Sequence, residues 1–276
     1  FLAFTIVSLF VFNRLEKRAS RGIARACSMF EDLIYVLTKY DAWLWQGFLL
    51  TLQLLVVSVV FGTLLAIPLA IARVSKLIWV QALPFAFIYV FRGTPLIAQL
   101  FMMYYGCGQL IASIDGIQDH WSWTYLRDPY WYCLLTFVLN TAAYMAEIMR
   151  GGIQNVPNGE IEAARACGMA PATIYRRIIF PRMWQIIWPA YTNDVIFTLK
   201  ATSLASTVTM MELTGAARKI VARTALPYEA FISAGVIYLI IVYVLTFGFK
   251  GIEKHLRRNE KRKENKSLPA KAGGHI

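Results

Sequence analysis

The sequence predicts an all-α integral membrane protein with five membrane-spanning helices. Two long apolar runs carry the expectation. Gly47 to Ala72 has no Asp, Glu, Lys or Arg in 26 positions, and Phe231 to Phe249 has none in 19. A helix rises about 1.5 Å per residue, so each run crosses a hydrocarbon core of roughly 30 Å. The third observation is the whole composition: 276 residues, 58% hydrophobic, mean hydropathy +0.50. That is too apolar for an ordinary soluble domain.

The chain opens with a stretch that fits none of the spans. Phe1 to Phe12 is apolar but short, and the basic cluster Asn13-Arg14-Leu15-Glu16-Lys17-Arg18 follows. FVFNRLEKR near the start echoes FGFKGIEKHLRR near the end. The expectation is that residues 1–28 are the tail of a preceding, related polypeptide and that Met29 begins the working subunit. A poorly ordered extension is the alternative.

The five spans then fall at 47–72, 79–106, 130–149, 183–211 and 229–249. The second holds Pro84 and the interruption Arg92-Gly93-Thr94-Pro95, and the fourth holds Pro189 and two charges. Both are too long for one straight crossing, so broken or tilted helices are expected, interrupted at Gly93–Pro95 and at Pro189. Residues 29–252 form the membrane domain. The tail, 253–276, is basic and then Pro/Ala/Gly-rich, a frayed helix running into disorder.

Lys and Arg set the orientation, because they concentrate on the cytoplasmic side. The segments 73–78, 150–182 and 250–276 hold 2, 5 and 9 of them; 29–46, 107–129 and 212–228 hold 1, 1 and 3. Residues 29–46 therefore lie outside and the C-terminus inside. The same asymmetry accounts for the net charge of +12 without a nucleic-acid partner. Trp43, Trp45, Trp131, Trp184 and Trp188 stand at span starts, where interfacial belts or packing place them. Cys27, Cys107, Cys133 and Cys167 lack metal-type spacing and read as free thiols. His120, His255 and His275 also lack ligand spacing, so no metal site is expected.

Charges inside a membrane are costly and mark function or a structural pair. Arg92, Glu147, Asp194 and Lys200 are the candidates. Asn140, Tyr144 and Glu147, spaced by four and three, share one helix face. One reading makes Asn140, Tyr144 and Glu147 line a substrate pathway, with Glu147 holding an ammonium or guanidinium and Arg92 meeting a carboxylate. Tyr191, Asn193 and Asp194 extend the pathway. The other reading pairs Arg92 with Asp194 or Glu147 as a buried ion pair that fixes helix register, or pairs Glu147 with Arg150 at i, i+3. Both stand at this level. LKATSLAS (199–206) has the small residues of a close helix contact. In the outer segment, Asp115, Asp119, His120, Trp121 and Trp123 suit either a docking partner or a solvated loop.

Residues 150–182 differ in kind. EAARACGMAPATIYRRIIFP (162–181) reads as two short helices with a turn at Gly168, Pro171 opening the second. Glu162 is expected at a helix start, where the dipole favours it. Arg176 and Arg177 lie near the membrane surface. A lipid-binding interfacial helix is the bland alternative.

Glu162-Ala163-Ala164, Gly168 four residues on, then Ile178 and Pro181, resembles the EAA signature of bacterial ABC-importer permeases. FRGTPLIAQLFMMYYG (91–106), NTAAYMAEIMRGGI (140–153), NGEIEAARACGM (158–169) and LKATSLAS extend the resemblance over nearly all of Met29 to Arg258. Together they resemble the polar amino-acid branch, in particular the second permease of histidine and arginine/ornithine importers. The segment 211–239 is most similar to arginine/ornithine permeases. The resemblance implies a type I importer fold in which a cytoplasmic coupling helix docks on an ATPase. Glu162, Ala163, Ala164, Gly168, Arg176 and Pro181 are the coupling residues it implies.

It further implies partners: an ATP-binding subunit dimer, a homologous permease subunit forming a heterodimer, and a periplasmic amino-acid-binding protein, all in an inner membrane. No Gly-x-x-x-x-Gly-Lys-Ser/Thr loop is present, so the chain is expected to be non-catalytic, with no cofactor of its own; ATP and magnesium belong to the partner. The expected function is import of polar, preferentially cationic, amino acids such as arginine, ornithine, histidine or lysine, by alternating access. A gradient-driven transporter or channel is the competing class, and an integral membrane enzyme a third, against which no nucleophile, base and orienter converge.

Overall fold

The computed structural model describes residues 29–267, with side chains through Lys254. The expectation for residues 1–28 lies outside the described residues, as does the end of the tail. Among the described residues the secondary structure is helical throughout. A first helix, α1, covers 29–39. It leads into α2, Asp41–Val74, the expected first span with six more residues at its N-terminal end.

The expected second span is two helices, α3 (Ile78–Gly93) and a bent continuation made of α4 (Leu96–Phe101), a π-helical turn Met102–Cys107 and α5 (Gly108–Ala112). The axis turns by 105° between them. The segment before the third span holds the short α6, Trp123–Leu126. The third span is α7, Pro129–Gln154. Its start is built locally: Pro129 occupies the first helical position, and the Asp128 carboxylate accepts a hydrogen bond from the Tyr130 backbone N–H at 2.9 Å, a helix cap of the usual kind.

The basic segment then forms α8 (Asn158–Ala166) and α9 (Pro171–Ile174), and a π-helical stretch Tyr175–Ile179 leads into α10, Phe180–Ala201. A 3-10 turn, Thr202–Val208, ends it. α11 is Leu213–Thr224 and α12 is Pro227–Ser267.

Among the described residues, three single helices, Asp41–Val74, Pro129–Gln154 and Pro227–Lys254, are long and apolar enough to cross a membrane, and the bent pair counts as a fourth if it is one span. The span expected at 183–211 corresponds to α10. It has the length, but Arg182, Asn193, Asp194 and Lys200 leave it outside that apolar set. Pro189 does not interrupt it: the helix runs on across that residue. Losing one N–H leaves the other ladder bonds in place, and neighbouring helices hold a proline-containing membrane helix together. The tail expected from 253 is helical as far as Ser267.

α2 and α7 form the spine of the bundle. At Gly62 a Cβ would lie 2.8 Å from Thr141 Cβ; a bare glycine there lets the two helices come close. α10 packs on α7 and α12, while α3 packs on α2 and α7. The main core cluster joins Leu55, Ala66, Ala143, Met145, Met149, Met183, Ile187 and Leu199.

α11 is pinned to its neighbours by polar groups. Thr51 Oγ1 accepts from Leu213 N at 3.1 Å. The fully buried Glu212 carboxylate accepts from Thr214 N and Gly215 N, both at 2.9 Å, and from the Tyr238 hydroxyl at 2.7 Å. Burial pushes the Glu212 carboxyl above its ordinary value, against the downward pull of those donors. On the outer face of α11, Lys219 and Arg223 lie 4.2 and 4.8 Å from the Trp43 ring centroid, so Trp43 has a packing role.

Candidate functional site

The break in the second span positions the first group of residues. Pro95 has no N–H, and Thr94 before it is extended, as a residue before proline prefers. Two side chains meet carbonyls left open at the break: Thr94 Oγ1 donates to Val90 O at 2.8 Å, and Gln99 reaches two more. Gln99 Nε2 donates to Phe91 O at 2.7 Å and Thr94 O at 3.1 Å, and contacts Thr94 Oγ1 at 2.8 Å. Asn140 Nδ2 on α7 in turn donates to Gln99 Oε1 at 3.1 Å. Asn140 therefore braces the break and does not border the cavity described next, although it shares a helix face with Tyr144 and Glu147.

Beside the break lies a cavity of about 400 Å³, lined by Arg73, Phe85, Ile88, Tyr89, Arg92, Gly93, Tyr144 and Glu147. The turn at Gly93 leaves Arg92 at its edge, with Cζ 5.3 Å from the Tyr144 ring centroid. Arg73, at the last turn of α2, lies 4.9 Å from the Phe85 ring. Glu147 Oε1 accepts from Arg150 at 2.6 Å and 2.9 Å, whereas its buried Oε2 has no hydrogen-bond partner. Of the ion pairs open at the sequence level, the one formed is Glu147–Arg150. Arg92 reaches neither Glu147 nor Asp194 within 4.0 Å. Two guanidinium groups, an aromatic face and the Glu147 side chain thus border one cavity, an arrangement of both charge signs able to hold both ends of an amino acid.

The α10 candidates do not border this cavity. Asp194 is buried with Oδ2 unpartnered. Tyr191 sits among aromatics, 5.1 Å from Trp184 and 5.7 Å from Trp188. Asn193 and Lys200 are exposed on the chain's own surface.

The second group is the elbow after α7. α8 ends in a left-handed turn at Gly168, φ 72°. Gly168 N donates to Arg165 O at 2.9 Å and Met169 N to Ala164 O at 3.1 Å, the paired bonds of a Schellman stop. Pro171 then opens α9. Ala164, Ile174 and Ile179 turn inward into the core. Glu162, Ala163, Gly168, Ala170, Pro171, Ala172, Arg176 and Pro181 are exposed. Glu162 is not at the helix start: α8 begins at Asn158, the first-turn acid is Glu160, and Glu162 lies in the second turn. Glu160 forms the second ion pair, with Arg182 of α10, at 2.6 Å.

Sequence reasoning missed Gln99, Arg73 and Tyr89. Gln99 had a legible signal: it is an amide inside an apolar run, four residues after a proline. Arg73 and Tyr89 had none, because only the packing of α3 on α2 and α7 brings them to the cavity.

Comparison with known proteins bears on both groups. Residues 58–258 match the family described as binding-protein-dependent transport system inner membrane component. The chain is 44% identical over 230 residues to the octopine transport system permease protein of Rhizobium radiobacter, spanning 80% of this chain and 92% of that protein. It is 43% identical over 216 residues to the histidine/lysine/arginine/ornithine transport system permease protein of Escherichia coli K12, spanning 78% of this chain and 89% of that one. A solved amino acid ABC transporter with histidines superposes with a TM-score of 0.70 at 29% identity, over 80% of this chain and 97% of the other.

Proposed function

The chain belongs to the binding-protein-dependent transport system inner membrane components, the non-catalytic permeases of ABC importers, and on that premise we propose that it carries cationic amino acids. A component of this kind works with a separate ATPase and a binding protein. The single observation that carries the substrate reading is the cavity at the broken helix. Arg92 at its edge suits a carboxylate. The Tyr144 face and the Glu147 carboxylate suit an ammonium or guanidinium. Arginine, ornithine, lysine and histidine share that chemistry. Asp194, a buried carboxyl on α10, is the further acidic candidate of the pathway, and Tyr191 and Asn193 belong to the same helix.

Orientation follows from the Lys and Arg asymmetry, with 150–182 and the C-terminus cytoplasmic. The elbow then faces the ATPase. Its exposed small residues, Ala163, Gly168, Ala170 and Ala172, suit close approach to a groove, with Glu162, Arg176 and Pro181 at its flanks. ATP binding in the partner draws two such elbows together and opens the path outward; hydrolysis resets it. ATP and magnesium are handled by that ATPase dimer. The second elbow comes from a homologous permease, and the binding protein delivers the amino acid from the periplasm. Lipid surrounds the bundle, and no nucleic acid is involved.

A second substrate reading is a cationic amino acid bearing an additional carboxylate, favoured by Arg73 lining the same cavity as Arg92. One experiment tests both. Reconstitute the chain with its sister permease, ATPase and binding protein in liposomes, and measure ATP-dependent uptake of labelled arginine in competition with octopine. Uptake that is ATP-independent, or indifferent to Glu147→Gln and Arg92→Gln, overturns the proposal.

A further inference from the structure

We propose that Glu160 and Arg182 are positioning residues that lock the coupling elbow to α10, so that motion of α8 reaches the bundle as one rigid body. The inference rests on the coupling role proposed above and adds to it a specific mechanical link. Arg182 Nε donates to Glu160 Oε2 at 3.0 Å, and Arg182 Nη2 donates to Glu160 Oε1 at 2.6 Å. This is a side-on, two-point pair, the geometry in which a guanidinium fixes direction as well as distance. Arg182 Nη1 also reaches Gln185 Oε1, on its own helix, at 3.4 Å.

The two residues are 22 apart along the chain, and the path between them has two compliant joints. One is the left-handed turn at Gly168. The other is the π-helical stretch Tyr175–Ile179, where the hydrogen-bond register slips from α. Apolar packing of Ala164, Ile174 and Ile179 holds the inner side of the elbow. Such packing resists separation but is non-directional. The ion pair closes the loop on the other side with a directional contact. The elbow becomes a triangle with α8, the α9 segment and the first turn of α10 as its sides.

α10 is the helix that would transmit the movement. It packs on α7, which carries Tyr144 and Glu147, and Asp194 lies twelve residues along it, about 18 Å at the helical rise. A pair with side chains 40% and 33% exposed is a weak stabiliser of the fold. Its consequence is in coupling, where a loose joint wastes the stroke.

The test uses the full complex of both permeases, ATPase and binding protein in liposomes. It measures stimulation of ATP hydrolysis by liganded binding protein and amino acid taken up per ATP. Docking is followed in parallel by photo-crosslinking from the exposed Cys167 thiol, in a Cys27→Ser, Cys107→Ser background. Glu160→Gln and Arg182→Gln are each expected to lower stimulation and uptake per ATP about threefold, as fits a part-exposed pair. Assembly, the crosslink and the KM for ATP are expected to stay unchanged. The swap Glu160→Arg with Arg182→Glu is expected to recover most of the loss. Unchanged coupling in Glu160→Gln with the crosslink intact overturns the lock alone. Loss in both single variants without recovery in the swap assigns the effect to the fold and also overturns it. Absence of the crosslink in the unsubstituted elbow overturns the docking role, and the lock with it.

Discussion

Replacing Gly168 is the sharpest perturbation of the elbow, because its effect can be worked from backbone geometry alone. The residue has φ 72° and no atom lies within 4 Å of where a Cβ would stand. A Cβ there meets no neighbour within the chain, so its penalty is conformational. A left-handed residue with a Cβ costs about 1–2 kcal/mol, asparagine is the residue that tolerates it best after glycine, and β-branching adds to the cost. One to two kcal/mol is a factor of roughly 5–30 in the population of the intact turn. The turn matters because Gly168 N and Met169 N satisfy the last carbonyls of α8. The assay is ATP-dependent uptake by the reconstituted importer, with membrane insertion and complex assembly measured alongside. Uptake is expected to fall in the order Gly168→Asn, Gly168→Ala, Gly168→Val, with valine nearly inactive and insertion unchanged. Equal activity for the valine variant refutes the reasoning. So does asparagine failing as badly as valine, which would make side-chain volume, and not φ, the determinant.

Glu147→Gln is expected to raise the KM for cationic substrates in the reconstituted system several-fold while sparing assembly; wild-type kinetics leave Glu147 only its Arg150 contact. Asn140→Leu removes the group that orients Gln99, so the helix break loses its brace. A thermal melt in detergent is expected to show destabilisation of about 1–3 kcal/mol, the cost of unpairing a buried polar group. Gly62→Val forces a Cβ to 2.8 Å from Thr141 Cβ; overpacking of that kind costs about 1–3 kcal/mol, read as a lowered melting temperature. Glu212→Ala strips the cap of α11 and strands the Tyr238 hydroxyl, so destabilisation beyond the usual cap loss of about 1 kcal/mol is expected by the same melt.

How far the sequence reaches can be judged from particular residues. Gly47–Ala72 and Phe231–Phe249 were legible as spans because crossing a bilayer is a local property of composition and length. The stop at Gly168 and the start at Pro171 were legible for the same reason: each is a backbone rule written in one or two residues. The EAA signature carried the family because its spacing is local too. Glu162 was misplaced by one turn, since helix starts depend on a cap whose identity is weakly encoded at Pro157–Asn158.

The sequence by itself determined the membrane class, the long apolar spans, the family and the place of the elbow along the chain. Only the tertiary structure decided which polar residue meets which. It gave Asn140 to Gln99, Glu147 to Arg150 and Glu160 to Arg182, and it brought Arg73 and Tyr89 to a cavity with Arg92 and Tyr144. The physical reason is that helical periodicity assigns a side chain to a face, whereas the partner of that face is set by helix–helix approach. That approach turns on close contacts such as Gly62 against Thr141 and on the 105° angle of the bend at Thr94-Pro95; the place of the bend was legible in Gly93–Pro95, but its angle and the contacts it brings are not a property of any one segment.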